Sequence, residues 1–241
     1  MAIELPGEVV TLLNFIGINW PQVNEDKVRE FASHVREFAE NVQNTHQDST
    51  ATVQALGEAY QGASYEALLA KWGQLSGSHM NELVQGCHTV ATALDVAADV
   101  IVAMKGEAIA ELLVLAASFV ADQAAAVATF GLAEAAMIAI EEAAKKLVNF
   151  LEQQLEQYII GQVIEAAINP LVETVGQAVS GLVFKGAESA LGVSGGGAGG
   201  TGFHIDPTAL EGHADTMHQH AETIAGHAQD FQSKLATVSF E

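Results

Sequence analysis

Cysteine, proline and basic side chains are scarce in this sequence. Its 241 residues include one cysteine, four prolines and nine lysines and arginines, against thirty aspartates and glutamates. The single cysteine, Cys87, excludes an internal disulfide and a thiolate metal site. The formal net charge of −21 disfavours nucleic acid and anionic membranes as partners, because both would repel the chain. Alternation of β-branched with polar residues is also rare, which favours an all-α fold.

Motifs that mark an active site are missing as well. There is no P-loop, GxSxG elbow, HExxH helix or dinucleotide fingerprint. A helical bundle that binds two metals needs paired Glu-x-x-His motifs, and neither Glu82 nor Glu111 has a histidine three residues on. We therefore expect no enzymatic activity, no cofactor and no metal site.

Targeting and membrane signals are weak. The first eight residues are acidic and have no basic n-region, so a cleavable secretory signal is not expected. Residues 109–140 are rich in alanine, leucine and valine, but Glu111 and Asp122 interrupt them, and a spanning helix needs about twenty consecutive apolar residues. We expect no stable membrane span. We interpret this region as helices buried on most sides within a bundle, with joints or kinks at Gly106 and Gly131.

The strongest pattern is a pair of amphipathic helical arms on either side of Gly62. Before the glycine, apolar residues lie three or four positions apart, with small polar residues in the intervening slots: Val28, Phe31, Val35, Phe38, Val42, Val53 and Leu56. After it, a similar helical pattern continues at Leu68, Trp72, Leu75, Leu83, Cys87, Val90, Leu94, Ala98 and Ile101. Each arm must bury its apolar face, so the spacing predicts an antiparallel hairpin over residues 24–104. Asn24 is the expected N-cap, and Glu25 and Asp26 suit the positive end of the helix dipole.

The remaining segments extend this hairpin to the whole predicted fold. The prediction is all-α: a long antiparallel helical hairpin with alanine-rich helices over residues 107–191, which together form an elongated bundle. We assign residues 1–191 to this domain, residues 192–203 to a glycine-rich linker and residues 204–241 to a further amphipathic helix.

Two smaller elements flank the bundle. A short helix over residues 6–16 is expected to pack on the hairpin, and Trp20 and Pro21 form a loop after it. Trp20 is best interpreted as a core residue between helices. Asp206 is the expected N-cap of the last helix.

The last helix carries an apolar stripe that requires a neighbour. It docks back onto the bundle, docks onto a partner, or opens a second hairpin. His213, His220 and His227 recur every seven residues and share one helix face. They are either a polar flank of the stripe or a pH-responsive contact, because imidazole titrates near physiological pH.

The turn resembles that of a known family. Tyr60-Gln61-Gly62 stands where the WXG (Esx-like) helical hairpins have Trp-x-Gly, and Trp72 stands ten residues beyond the glycine, at their second aromatic position. Such hairpins are exported by type VII secretion systems of actinobacteria and related Gram-positive bacteria. Tyr60, Gly62, Tyr65 and Trp72 thus form a candidate turn and docking motif, whose aromatic residues either fill the bend or present an anchor to a partner.

The order of elements over residues 5–190 extends the resemblance. A short helix, a Trp-Pro loop, a hairpin and alanine-rich helices are similar to the WXG-like N-terminal domain of large actinobacterial polymorphic toxins, such as the mycobacterial channel-forming necrotizing toxin. Two features depart from the family pattern. Tyr60 replaces the turn tryptophan, and the export signature Tyr-x-x-x-Asp/Glu is absent because Tyr158 is followed four residues on by Gln162.

The resemblance implies a non-catalytic module for secretion targeting and partner binding at the N-terminus of a type VII effector. It implies a small WXG-type hairpin protein as partner, a secretion ATPase as receptor and a toxin domain in the full-length protein. The location would be secreted or cell-surface, by a signal-peptide-independent route. The alternative is a pore-forming protein whose alanine-rich helices insert into a bilayer.

Overall fold

The computed structural model describes residues 3–76, 80–126, 133–173 and 204–237, and nearly all of its regular structure is helical. The helices are α1 (Gly7–Ile16), α2 (Glu25–Ala59), α3 (Ala63–Leu75), α4 (Asn81–Ala126), α5 (Ala133–Tyr158), a π-helical segment (Ile159–Ile168) that continues α5, and α6 (Pro207–Thr237). Two short strands, β1 (Tyr60–Gln61) and β2 (His204–Ile205), pair with each other. The all-α prediction is confirmed. The predicted linker and the kink expected at Gly131 lie outside the described residues.

The first arm of the hairpin is one helix, as predicted. Its N-cap is Asn24, whose Oδ1 accepts hydrogen bonds from the backbone N–H of Asp26 at 2.9 Å and of Lys27 at 3.3 Å. These bonds satisfy two of the amides that a helix start leaves without intrahelical partners.

The second arm contains α3 and α4, and residues 77–79 between them lie outside the described residues. The expected joint at Gly106 is wrong, since α4 runs without interruption from Asn81 to Ala126. A glycine inside a helix costs about 1 kcal/mol relative to alanine, which a long packed helix tolerates.

The turn between the arms depends on Gly62. Its φ of 144° and ψ of 176° lie in a region that side chains with a Cβ rarely adopt. Its carbonyl oxygen accepts from the N–H of Tyr65 at 3.0 Å and of Glu66 at 3.2 Å, which starts α3. The chain therefore reverses at the residue that the sequence pattern singled out.

Replacing Gly62 by valine should lower the free energy of unfolding by about 1–3 kcal/mol, because a β-branched residue is strained at this φ. Urea unfolding followed by circular dichroism measures the loss. An unchanged unfolding midpoint would show that the turn accepts an ordinary residue.

The chain forms two compact units. The first contains the described parts of residues 1–30 and 93–167, and the second those of residues 31–92 and 168–238. The arms are antiparallel in the first unit, where Arg29 Nη2 lies 2.8 Å from Asp99 Oδ1 and Lys105 Nζ lies 2.7 Å from Glu25 Oε2. Residue numbers rise along α4 as those of their partners fall along α2.

The core of the first unit joins α1, α4 and α5. Its buried residues are Val9, Leu12 and Leu13 of α1, Leu112, Ala116 and Phe119 of α4, and Ile140, Ala144 and Val148 of α5. One expectation is corrected here. The alanine-rich part of α4 is buried on one face only, since Val114 and Val120 are 67% and 55% exposed.

A buried ion pair lies in the same unit. The Glu25 and Lys105 side chains are 0% and 4% exposed, and Lys105 Nζ also donates to the carbonyl oxygen of Val23. The second carboxylate oxygen of Glu25 accepts from the N–H of Ile3 at 2.6 Å. Glu25 is therefore a buried partner of Lys105 and does more than complement the helix dipole.

Candidate functional site

Tyr65 lies against α2 in the second unit. Its hydroxyl lies 3.3 Å from the carbonyl oxygen of Val53 and 3.0 Å from that of Gln54, as a donor to these two carbonyls of α2. The ring sits over Gly57, where an added Cβ would lie only 2.6 Å from the Tyr65 hydroxyl oxygen. Gly57 thus permits the close approach of α3, and nothing in the sequence pattern indicated this role.

Gly57→Ala should destabilise the protein by about 1–3 kcal/mol, because the new methyl group displaces the Tyr65 ring. Gly86→Ala is the matched control inside α4, where an added Cβ meets nothing within 4 Å. That control should stabilise by about 0.4–1 kcal/mol through the loss of glycine flexibility in the unfolded chain. Thermal unfolding of the two variants tests the contrast, and equal stabilisation by both would contradict it.

Trp72 lies two turns further along the same interface. Its Nε1 donates to Thr50 Oγ1 at 3.0 Å, and its ring stacks on His46 with centroids 5.3 Å apart and planes 18° apart. The Trp72 side chain is half-buried. Partner residues in α2 descend from Gln54 to Thr50 as those in α3 rise from Tyr65 to Trp72, so the two helices are antiparallel. Trp72 and Tyr65 therefore pack within the chain.

His46 of α2 contacts both Trp72 and Ser76. Its Nε2 is hydrogen-bonded to Ser76 Oγ, and burial lowers the pKa of His46 below its ordinary value of 6.5. The folded protein thus favours neutral His46, whereas the unfolded chain binds a proton as the pH falls through 6.5.

The stability that neutral His46 contributes is complete above pH 6.5 and declines as the pH falls towards its lowered folded pKa. We expect His46→Gln to show a smaller loss of stability between about pH 7 and pH 5 than the wild type. Urea titrations at both pH values measure the difference. Parallel pH profiles for the two proteins would show that His46 does not titrate on unfolding.

Trp20 and Pro21 belong to the first unit and are described there alone. Trp20 packs against the core cluster of that unit, and Pro21 is buried. The Trp20 Nε1 is buried with no hydrogen-bond partner among the described residues. These contacts are those of a core residue beside a loop.

The last helix docks onto the first arm, which was one of three possibilities in the sequence. At its start, Tyr60 of β1 pairs with Ile205 of β2, and the Asp206 N–H donates to the Ala59 carbonyl oxygen at 2.8 Å. The Asp206 side chain caps α6 as predicted, through bonds to the amides of residues 208 and 209. Tyr60, a candidate anchor for a partner, is therefore engaged by the chain's own β2.

Two histidines of α6 meet threonines of α2. The Nε2 atoms of His227 and His220 lie 3.1 Å and 3.3 Å from the Oγ1 atoms of Thr45 and Thr52. Each threonine hydroxyl donates to a carbonyl of its own helix, so the histidine Nε2 is assigned as the donor in each pair. These residues form polar layers between the helices.

An aromatic cluster anchors the other end of α6. Phe231 is 2% exposed and stacks on Phe38, with ring centroids 4.7 Å apart and planes 17° apart. Its ring also lies 6.4 Å from that of Phe31. Beside it, the Lys234 ammonium lies 2.9 Å from Glu37 Oε2, and this hydrogen bond lowers the pKa of Glu37 and raises that of Lys234. The two helices are antiparallel. From His220 to His227 to Phe231 along α6, the contacted residues of α2 run from Thr52 to Thr45 to Phe38.

The docked faces share a seven-residue spacing. The α2 residues are Phe31, Phe38, Thr45 and Thr52, and the histidines of α6 are His220 and His227. Antiparallel helices in contact along a heptad keep one seam facing the partner, and polar positions within that seam specify its register. The histidine spacing was visible in the sequence, but its partner was not.

The interface between α2 and α6 leaves little space for a small molecule. The space between α2 and α6 beside His227 measures about 170 Å³, open solvent included, which is below the usual size of ligand pockets. Within the described ranges, no group of three or more histidine, cysteine or carboxylate side chains is placed to hold a metal ion. No helix in that part of the chain has the length and hydropathy to cross a membrane.

Comparison with known proteins adds a family. The family described as WXG100 like domain matches residues 3–147, which is more than half of the chain. This range contains α1, the α2–α4 hairpin and part of α5. No curated protein and no solved structure matches. The matched helices and the reversal at Gly62 together show that the chain belongs to the WXG100-like domain family.

Proposed function

We propose that this chain is the secretion-targeting and partner-binding N-terminal module of a type VII-secreted effector or toxin, non-catalytic in itself. The observation that carries the proposal is the WXG100-like match over residues 3–147, which contains the helical hairpin. The family associates such hairpins with type VII secretion and with pairing between helical hairpins. The partner is a small WXG-type hairpin protein, and the receptor is a secretion ATPase.

The charge of the chain supports a protein partner. At −21 it favours a partner with basic side chains and disfavours anionic lipid or nucleic acid. Tyr60, Tyr65 and Trp72 already make contacts within the chain. Residues outside the turn therefore contribute to the docking surface.

Co-expression tests the proposal. The chain is produced with a small WXG-type hairpin protein encoded beside it, and the mass of the purified species is measured by size-exclusion chromatography with light scattering. We expect one complex that contains both proteins, whereas a hairpin protein from an unrelated locus serves as the control and elutes separately. Separate elution of the neighbouring protein, too, would contradict partner binding.

A membrane-active role is the second candidate, favoured by the exposed apolar side chains of α4. Neutral side chains cost less than charged ones to insert into a bilayer, so insertion of this acidic chain should be easier at low pH. Dye release from liposomes between about pH 7.5 and pH 4.5 tests this role. Release that rises as the pH falls supports insertion, and its absence at every pH excludes it.

A further inference from the structure

The outer face of α4 carries a continuous apolar row. Its members are all exposed: Ala110, Leu113, Val114, Ala117, Val120 and Ala121. The steps of three, four and seven residues place them along one side of the helix. We call these six residues the α4 row. Exposed aliphatic side chains in single positions are ordinary, but an aligned row of them is typical of an interaction surface.

The opposite face of the same helix is firmly held. Leu112, Ala116 and Phe119 lie in the core between α1 and α5 and are buried. The α4 row is therefore presented by a helix that its own packing fixes in place. Helices dock on one another through apolar side chains at positions i, i+3, i+4 and i+7. The residues of the α4 row have these spacings.

One edge of the row is acidic. Glu111 follows Ala110 and Asp122 follows Ala121, so both carboxylates lie about 100° around the helix, on the same side of the row. Residues 106–126 contain no lysine, arginine or histidine. The nearest base along the helix, Lys105, is buried against Glu25 and does not offset this charge at the surface.

This charge pattern selects among possible occupants. A second copy would bring another chain with a formal net charge of −21 against the acidic edge, and an anionic lipid surface would be repelled. A helix with an apolar stripe and basic side chains along one edge complements both the row and its rim.

We infer that the α4 row is a docking surface for an amphipathic helix of a partner protein that carries lysine or arginine along one edge. The inference deepens the proposed function, on which it rests, by assigning the partner-binding surface and the charge of its occupant.

Two synthetic helical peptides test the inference against the full chain. Both carry the same leucine and alanine stripe, one with lysines along an edge and the other with glutamates there. Binding is measured by fluorescence anisotropy for the wild type, for Val114→Glu and for the control Ile138→Glu, an equally drastic change at a 52% exposed position of α5. Thermal unfolding of each variant checks its fold.

We expect the lysine peptide to bind the wild type and Ile138→Glu equally, and to bind Val114→Glu about tenfold more weakly or worse. The glutamate peptide should bind none of them, and all three proteins should unfold at the same temperature. Equal binding to Val114→Glu, or none to the wild type, would overturn the inference.

Three further results would also overturn it by naming another occupant. A lowered unfolding temperature of Val114→Glu would show that a segment of the chain itself covers the row. Wild-type self-association that Val114→Glu abolishes would assign the row to a second copy. Flotation with phosphatidylcholine vesicles that Val114→Glu abolishes would assign it to lipid. Co-expression separates the two proposals. If the neighbouring hairpin protein binds Val114→Glu as well as it binds the wild type, the docking role of the α4 row is refuted and the proposed function is retained. If the lysine peptide binds and the neighbouring hairpin protein does not, the proposed function is refuted and the docking role of the α4 row is retained.

Discussion

Replacing Lys105 by methionine should destabilise the protein by about 3–5 kcal/mol, because the substitution leaves the Glu25 carboxylate buried without its cation. Methionine fills a similar volume, so little of this loss comes from an empty space. The backbone N–H groups of Ile3 and Glu25, which also bond to the carboxylate, do not replace the ammonium charge. Urea unfolding followed by circular dichroism measures the change.

The double variant Glu25→Leu with Lys105→Met is the control for this prediction. Replacing both members of a buried ion pair by apolar residues of similar volume is often neutral or stabilising, so the double variant should recover most of the loss. If Lys105→Met alone unfolds at the wild-type midpoint, the ammonium is not needed to compensate the Glu25 carboxylate.

The same pair predicts sensitivity to acid. Burial acts to raise the pKa of Glu25, but the hydrogen bond from Lys105, the backbone N–H groups of Glu25 and Ile3, and the charge of Lys105 together outweigh it and hold the pKa below its ordinary value of 4.5. A lowered folded pKa gives stability that is complete above pH 4.5 and is lost as the pH falls towards the folded pKa. Wild-type protein should therefore lose more stability on acidification below about pH 5 than the double variant.

Phe231→Ala should weaken the docking of α6 by about 3–5 kcal/mol, since the ring is buried between Phe31 and Phe38. The loss should be local, because α6 buries little else: Ala228 and Phe231 are its only buried residues within the described part of the chain. Hydrogen exchange measures it residue by residue. We expect protection to fall throughout α6 and to persist in the core of the first unit.

Phe150→Ala provides the matched control. It removes the same ring from a 57% exposed position on α5, where the effect should stay within about 0.5 kcal/mol. If α6 in Phe231→Ala keeps its wild-type protection, then the polar layers and the β1–β2 pair hold the helix without the aromatic anchor.

Local signals in the sequence predicted most of the secondary structure. Asn24 and Asp206 were identified as caps because a short polar side chain before an amphipathic run has a defined partner two or three residues away. Gly62 was identified as the turn because it divides two apolar stripes, and its positive φ agrees with that role.

Long-range contacts were not predictable in this way. Nothing in the neighbourhood of Phe231 shows that its ring meets Phe38, nearly two hundred residues earlier. From its place in the first turn of α2, Glu25 was expected to interact with the helix dipole. It is buried against Lys105 because α4 packs antiparallel to α2 at this point. The close contact of Tyr65 with Gly57 likewise depends on how α3 packs.

The alanine-rich region shows a limit of composition. Its small apolar residues indicated helices enclosed on most sides, yet the α4 row is exposed. Alanine suits a buried or an exposed helix face equally well, because it forms helix readily and buries little surface. Composition therefore predicted the helix and did not predict how many neighbours it has.

Export measures the proposed role most directly. The amount of the chain in the culture medium is compared between cells that carry a type VII secretion system with the small WXG-type partner and cells that carry the system without it. We predict that the chain reaches the medium only when both are present, and that deletion of residues 3–147 abolishes its export. Equal export without the partner, or after that deletion, would contradict the assignment of these helices to secretion targeting.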